Sequence, residues 1–204
     1  MKTAYIFAGV NGAGKSTLYW NEVEKGERLG QRINIDEIVS SFGDWRNSKD
    51  QARAARIALK LQKSFIDNNE SFNQETTLCG KGIVRLFERL KEQGFRICLY
   101  YVGVDSVDIA KERVKMRIAK GEHNIDEALI KKQYTVSFKN LKQILPLCDK
   151  ISLYDNSNEL RKIGQIVDGK LECKSTKWLD SLCLEERNKA KAKIKSKEFK
   201  GLGR

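Results

Sequence analysis

Short apolar runs alternate along the chain with segments in which apolar residues recur every three or four positions. The apolar runs predict strands at 3–8, 31–35, 71–77, 95–104 and 150–154. The segments of helical period predict helices at 16–25, 48–69, 81–93, 106–120 and 126–144. Strands that alternate with helices are typical of a parallel sheet covered on both faces. We therefore predict an α/β fold with a mostly parallel sheet of about five strands and helices on both faces.

The segment after the fifth predicted strand has a different pattern. Two short runs flank Asp168 and Gly169, and an Asp-Gly pair in that position indicates a two-residue hairpin turn. We predict a C-terminal β-hairpin at about 163–174. A chain of this length is most simply one domain, which we place at residues 1–186.

Positive charge is concentrated at the C-terminal end of the 204 residues. The net charge is +12, and residues 187–204 alone hold eight basic residues and one acidic residue. Such a basic, low-complexity end predicts a solvated, flexible tail, and a contact with nucleic acid or an acidic partner is the alternative. No basic strand interleaved with aromatic residues supports nucleic-acid binding elsewhere in the chain.

The composition also bears on the cellular compartment. No apolar run approaches the roughly 18 residues of a membrane span, and the N-terminal apolar run is too short for a signal peptide. The five cysteines show no C-x-x-C pairing, which favours reduced thiols over a disulfide framework or a zinc site. We expect a cytoplasmic protein that does not contact a membrane.

A glycine-rich stretch, GVNGAGKST at 9–17, follows the first predicted strand and opens the first predicted helix. It matches the phosphate-binding loop pattern G-x-x-x-x-G-K-[ST], in which main-chain N–H groups and the helix N-terminus surround a phosphate. In this pattern Lys15 contacts the β- and γ-phosphates and the Ser16 hydroxyl binds Mg²⁺. The residues predicted to bind a nucleoside triphosphate are Gly9, Val10, Asn11, Gly12, Ala13, Gly14, Lys15, Ser16 and Thr17.

Acidic and hydroxyl side chains follow the second and third predicted strands, at the sheet edge where α/β proteins bind ligands. Asp36 ends the second strand and is a candidate general base toward an attacking hydroxyl; a helix N-cap is the alternative. Glu75, Thr76 and Thr77 end the third strand. Glu75 is a candidate for binding substrate hydroxyls or for holding Mg²⁺ through water, and for the two threonines a loop-capping role is the alternative.

Basic and amide side chains follow the fourth and fifth predicted strands. Arg113 and Arg117 lie four residues apart, so they share one helix face, and a bound anion would offset their repulsion. A solvated basic face is the alternative. After the fifth strand, Asp155 and Asn156 are candidates to line a base or substrate pocket, and an Asx-turn is the alternative.

Together these stretches resemble the zeta toxin family of P-loop kinases, and in particular its short zeta-like branch. The matching stretches are, in order, FAGVNGAGKST, NIDEI, FNQETTL, ERVKMRIAKGEHNI and LYDNS. The resemblance implies a P-loop kinase fold that uses ATP or GTP with Mg²⁺. By position it places Lys15 and Ser16 on the phosphate and metal residues, Asp36 on the catalytic base, Glu75 on a substrate-binding acid and Arg113 on the first phosphate-contacting arginine. The candidates for the second such cation are Arg117, Lys131 and Lys132.

The resemblance also implies a substrate and a partner. Zeta toxins phosphorylate a sugar hydroxyl of UDP-N-acetylglucosamine, so the expected acceptor is a UDP-activated amino sugar, and an antitoxin protein is a possible partner. Two other functions remain open from the residues alone. One is a kinase acting on a polynucleotide end, for which the basic tail is the support. The other is a nucleotide-dependent switch, which would need Lys15 and Ser16 but no base at Asp36.

Overall fold

The computed structural model describes residues 1–119, 125–167, 170–173 and 176–180. Three features predicted above lie outside these ranges. They are the hairpin turn at Asp168 and Gly169, the GEHN part of the fourth matching stretch, and the basic tail at 187–204.

A single sheet of seven strands organises the fold, in the order β2-β3-β1-β4-β5-β6-β7. The first five strands in this order are parallel, and β6 and β7 continue the sheet antiparallel to β5 and to each other. This confirms the five-strand parallel sheet and the added C-terminal hairpin. The strands are β1 (Thr3–Ala8), β2 (Gln31–Ile33), β3 (Phe72–Thr76), β4 (Arg96–Gly103), β5 (Lys150–Asp155), β6 (Arg161–Val167) and β7 (Lys170–Cys173).

The helices connect the parallel strands. They are α1 (Lys15–Glu24), α2 (Ile35–Ser40), α3 (Ser48–Asp67), α4 (Ile83–Glu92), α5 (Val107–Ala119) and α6 (Glu127–Ile144), with a 3₁₀ turn at Leu145–Leu147. All five predicted helices are present within a few residues of their predicted bounds. One further helix, α2, was not predicted, and it begins in the segment that was predicted as the end of the second strand.

The prediction that Asp36 ends the second strand is therefore wrong. The strand stops at Ile33, because the side chain of Asn34 accepts hydrogen bonds from the backbone N–H groups of Asp36 (2.9 Å) and Glu37 (3.3 Å) and so starts α2. Asp36 lies in the first turn of that helix, and the N-cap is Asn34. In addition, β2 pairs with β3 and not with β1. The end of β2, which leads to Asp36, is therefore separated by β3 from the end of β1, which leads to the glycine-rich loop.

Both faces of the sheet are buried, which explains why β4 is a continuous apolar run. Ile97, Leu99 and Tyr101 belong to one hydrophobic cluster, whereas Cys98 and Tyr100 belong to the cluster on the opposite face. Side chains alternate along a strand, so a strand covered on both sides places most of its residues against apolar neighbours. No helix within the described ranges is long and apolar enough to cross a membrane.

Residues 176–180 pack onto this core and reach the edge of the candidate site. Trp178 is 2% exposed and lies against Tyr101 and Phe138, with ring centroids 5.7 and 5.8 Å away. Its indole N–H donates to Asp155 Oδ1 at 3.2 Å. The core therefore extends to the end of the described chain, and it fixes the carboxyl end of β5.

Candidate functional site

The glycine-rich loop runs from the end of β1 to the start of α1 and is held close to its neighbours. The backbone N–H of Gly9 donates to the carbonyl of Thr76 at 3.2 Å, and φ at Gly9 is +146°. A Cβ atom at Gly9 would lie 2.4 Å from the Val102 carbonyl oxygen. Gly14, at φ +101°, precedes α1, and a Cβ atom there would lie 2.4 Å from Nδ2 of Asn156. Both positions thus require glycine, and the first turn of α1 carries no capping side chain at Gly14.

A cavity of about 540 Å³ opens above this loop. Three elements contribute to it: the loop with the first turn of α1, one face of α5, and the residue that follows β5. Its walls are formed by Gly12, Gly14, Lys15, Ser16, Thr17, Arg113, Met116, Arg117 and Asn156. The structure therefore brings five of the nine predicted loop residues, both predicted arginines and the predicted asparagine to one place.

Lys15 is the cation at the base of this cavity. Its Nζ donates to the carbonyl of Val10 at 3.2 Å, which holds the side chain back over the loop. Burial lowers the pKa of Lys15, the negative charges of Glu75 and Asp36 oppose that shift, and the positive charge of Arg117 adds to it. The loop lysine is thus electrostatically coupled to both predicted carboxylates and to an arginine of the cavity.

The two arginines of α5 differ in their surroundings. Arg113 Nη2 donates to the carbonyl of Ser157 at 3.3 Å, whereas its Nη1 is buried and has no hydrogen-bond partner among the described residues. Arg117 is exposed at the cavity wall. Lys131 and Lys132, the other candidates for the second phosphate-contacting cation, are exposed on α6 and do not line the cavity. The geometry therefore favours Arg117 for that position.

Glu75 links the loop to the second and third strands. Its Oε2 accepts a hydrogen bond from the Ser16 hydroxyl at 2.8 Å. Its Oε1 accepts from Arg32 Nη2 at 2.7 Å and from Asn34 Nδ2 at 3.1 Å. Sequence reasoning missed Arg32 and Asn34. The one available signal was a basic residue inside a predicted strand, a position that charged residues seldom occupy.

Asp36 is exposed beside this network. Its backbone N–H is bonded to Asn34, and its carboxylate makes no hydrogen bond or ion pair with any residue in the described part of the chain. The two threonines have local partners. Thr76 Oγ1 accepts from the backbone N–H of Leu78 at 3.1 Å, and the Thr77 carbonyl accepts from the Cys79 thiol at 3.2 Å.

The remaining predicted residues support the loop from beneath or beside it. Val10 and Ala13 are 3% and 0% exposed and lie in the core. Asn11 Nδ2 donates to Gln133 Oε1 at 2.9 Å, and Asn156 Nδ2 donates to the Ala13 carbonyl at 2.8 Å. These contacts fix the conformation of the loop.

Asp155, which we considered as a pocket residue, is instead buried at 2% exposure. Its carboxylate accepts hydrogen bonds from Ser157, Arg161 and Trp178. It closes the turn after β5, as the alternative interpretation of this segment expected.

The described residues suit a nucleoside triphosphate with Mg²⁺. The buried Nη1 of Arg113 is a donor that a phosphate oxygen would satisfy. The Ser16 hydroxyl and the Glu75 carboxylate are oxygen ligands, and Mg²⁺ is usually held by one or two such groups together with phosphate oxygens. Among the described residues, no group of three or more His, Cys, Asp or Glu side chains could hold a metal ion.

Solved structures show the same architecture. A chain in the crystal structure of AvrRxo1-ORF1:-ORF2 with ATP has a TM-score of 0.69 and 12% sequence identity, over 89% of this chain and 63% of that one. This chain therefore spans less than two thirds of that neighbour's length. A chain from the PezAT chromosomal toxin-antitoxin system of Streptococcus pneumoniae has a TM-score of 0.59 and 14% identity, over 78% of this chain and 70% of that one. The strand order, the loop between β1 and α1 and these likenesses define a P-loop kinase-like fold.

Sequence comparison gives a closer relationship. No protein-family model matches the chain. A protein of Haemophilus influenzae (strain ATCC 51907 / DSM 11121 / KW20 / Rd), named only as an uncharacterized protein, is 32% identical over 132 residues. The match covers 64% of this chain and 91% of that protein. The chain belongs to the same family as this Haemophilus influenzae protein.

Proposed function

We propose that the protein is a kinase of the zeta-toxin type. It transfers the γ-phosphate of ATP or GTP to a hydroxyl of a UDP-activated amino sugar that is similar to UDP-N-acetylglucosamine. One observation carries the proposal. The phosphate-binding loop, two arginines of α5 and Asn156 line a single cavity, and Glu75 is hydrogen-bonded to Ser16 of that loop.

The cations of the cavity account for the phosphate side of the reaction. Lys15, Arg113 and Arg117 neutralise the β- and γ-phosphates and the charge that moves onto the bridging oxygen as the phosphoryl group leaves. Ser16 and Glu75 would hold Mg²⁺, which when bound would supply further positive charge to the phosphates.

The carboxylates account for the acceptor side. Asp36 takes the proton of the attacking hydroxyl as that oxygen bonds to the γ-phosphorus, while the bond to the bridging oxygen breaks and the nucleoside diphosphate leaves. Its exposed carboxylate is accessible to an acceptor. In this proposal Thr76 and Thr77 orient the acceptor sugar, and Glu75 has the role toward Mg²⁺ given above.

The acceptor class and the partner rest on the family resemblance and on the fold. One neighbour of the same fold was solved with ATP, and another comes from a toxin-antitoxin system. By analogy, an antitoxin protein is the partner we propose, and the cytoplasm is the compartment in which we place the reaction. The basic tail is the one part of the chain to which we assign a possible nucleic-acid contact.

The test is to incubate the protein with ATP, Mg²⁺ and a panel of UDP-sugars and to follow the sugars by mass spectrometry. The expected result is a mass gain of one phosphate on a UDP-amino sugar, and no gain with a Lys15→Ala variant. A parallel reaction with a 5′-hydroxyl oligonucleotide tests the polynucleotide-end alternative. Nucleotide binding without transfer to any acceptor would reject the kinase and favour the nucleotide-dependent switch.

A further inference from the structure

Arg32 is the most extensively bonded side chain near the candidate site. Its Nε donates to both carboxylate oxygens of Glu37 at 2.8 and 2.9 Å, and its Nη1 donates to Asn73 Oδ1 at 3.2 Å. Its Nη2 donates to Glu75 at 2.7 Å and lies 2.7 Å from Glu37 Oε1. The guanidinium also stacks on Tyr19, 3.5 Å from the ring centroid. All three nitrogens and one face of the plane are thus occupied by protein.

These contacts leave Arg32 little capacity to bind a phosphate directly. A guanidinium has five N–H donors in a fixed fork, and a phosphate-binding arginine must keep some of them available. Arg32 has committed each nitrogen to a carboxylate or an amide, and its side chain is only 14% exposed. It is also absent from the wall of the cavity, in contrast to Arg113 and Arg117.

The same contacts connect the elements that carry the two candidate carboxylates. Arg32 lies on β2, Glu75 on β3, and Glu37 is the neighbour of Asp36 in the first turn of α2. Because Arg32 and Asn34 occupy Oε1 of Glu75, the other oxygen is directed to the Ser16 hydroxyl. Without Arg32, a 10%-exposed carboxylate would lose its counter-charge and would be free to turn toward Lys15, whose pKa it already influences.

We propose that Arg32 is a positioning residue that holds Glu75 against Ser16 and thereby sets the affinity of the nucleotide site for Mg²⁺. The inference deepens the proposed function and rests on the part of it that concerns nucleotide and Mg²⁺ binding. Partners that orient a metal-binding group typically change metal affinity by about 10–100-fold when they are removed. We therefore expect loss of Arg32 to weaken the Mg²⁺-dependent part of nucleotide binding while leaving metal-free nucleotide binding nearly unchanged.

The experiment measures binding of a fluorescent ATP analogue while Mg²⁺ is titrated. For Arg32→Gln we expect the Mg²⁺ concentration at half-effect to rise by about 10–100-fold relative to wild type. Arg32→Lys retains the charge without the fork, so it should show an intermediate rise. Arg89→Gln is the matched control, because it breaks an exposed ion pair with Asp67 (2.7 Å) that has no connection to Glu75. A wild-type Mg²⁺ response in both Arg32 variants would overturn the inference.

A double-variant cycle separates positioning from a merely structural contribution. If Arg32 acts through Glu75, adding Arg32→Gln to a Glu75→Gln protein should cause little further change in the Mg²⁺ response. A full additional shift would show that Arg32 acts by another route, and would overturn the inference. Circular dichroism verifies folding, and if Arg32→Gln does not fold, the Arg32→Lys variant is used in the same cycle. Binding needs no acceptor, so failure of phosphoryl transfer would reject the proposed kinase without deciding this test.

Discussion

The arginines on the two sides of the candidate site differ in how their nitrogens are hydrogen-bonded. On the phosphate side, Arg113 has one bonded nitrogen and one buried nitrogen without a partner in the described part of the chain, and it lies at the wall of an open cavity. On the carboxylate side, Arg32 has every nitrogen bonded to Glu37, Asn73 or Glu75. Both side chains are arginines near the candidate site, yet among the described residues only Arg113 has a nitrogen without a partner.

The difference indicates which arginine is available to bind a ligand and which one fixes its neighbours before a ligand binds. A buried donor without a partner costs free energy in the free protein, and the cost is recovered when an anion binds. A fully paired guanidinium instead contributes to the stability of the free protein and fixes its neighbours before any ligand arrives. We therefore expect the phosphate side to affect binding and turnover, and the network around Arg32 to affect stability and geometry.

The largest expected effect is on the phosphate side. Lys15→Ala removes the cation at the base of the cavity, whose one hydrogen bond within the described residues is to the Val10 carbonyl. Phosphoryl transfer should fall by on the order of 10³-fold, because a preorganised charge on the transferred group is lost. The melting temperature should change little. The measurements are transfer rate by mass spectrometry and thermal melting; a Lys15→Ala protein with wild-type transfer would remove the loop from the mechanism.

The second prediction concerns the acceptor side. Asp36→Asn retains the size of the side chain but cannot take a proton, so transfer at saturating acceptor should fall by about 10²–10⁴-fold. The helix should be only slightly destabilised, because the N-cap of α2 is Asn34 and the loss of a first-turn acid typically costs only about 0.3–1 kcal/mol. Nucleotide affinity, measured separately by fluorescence titration, should stay close to wild type.

Glu37 supplies the control for that prediction. Glu37→Gln changes the next residue of the same helical turn, whose carboxylate is bonded to Arg32 and not free to act as a base. It should reduce transfer far less than Asp36→Asn does. Equal rates for the Asp36→Asn protein and wild type would exclude the base and favour the nucleotide-dependent switch.

The third prediction contrasts the two arginines directly. Arg113→Met should leave the free energy of unfolding within about 0.5 kcal/mol of wild type, because it removes a buried donor that no described residue pairs with. Arg32→Met should lower that free energy by about 1–3 kcal/mol, because it leaves Glu75 buried without its counter-charge. Chemical denaturation measures both values. The reverse order of stabilities would show that the comparison of the two sides is wrong.

Much of the fold, but only part of the site, was predictable from the sequence. The strands and the loop depend on local signals, namely apolar runs and glycine spacing, and the structure confirms their positions except for the end of β2. The contact of Arg32 with Glu75 spans 43 positions and exists only because β2 pairs with β3 in a register that sets Arg32 opposite Asn73. No local pattern encodes that register.

The basic residues of α5 show the same limit. Sequence spacing places Arg113 and Arg117 on one face, which the cavity confirms. It does not reveal that Lys111 and Lys115 of the same helix pair with Glu127 of α6, at 3.5 and 2.9 Å. Which cations remain available to a ligand depends on the packing of α5 against α6, which is set by tertiary structure and not by helical period.

The smallest expected effect is a shift in the pH dependence of nucleotide binding. Lys15 attracts phosphate only when it is protonated, that is, below its pKa. Burial lowers this pKa from the ordinary value of 10.5, so affinity should decline with rising pH before an ordinary lysine would lose its charge. The charge of Glu75 raises the pKa, so Glu75→Gln should move the midpoint of the decline to lower pH. The charge of Arg117 lowers it, so Arg117→Met should move the midpoint to higher pH.

The measurement is the affinity for a fluorescent nucleotide between about pH 7 and pH 10, without Mg²⁺, with the midpoint of each variant compared to that of wild type. Midpoints are compared because Arg117→Met also weakens binding at every pH by removing a cation from the cavity. Arg89→Gln, whose ion pair with Asp67 is exposed, should leave the midpoint in place. Opposite shifts for the Glu75 and Arg117 variants would show that the two sides of the site act on the same lysine with opposite sign. Shifts in the same direction would mean that Lys15 does not control the titration. The charges of Glu75 and Arg117 would then not act through one shared lysine.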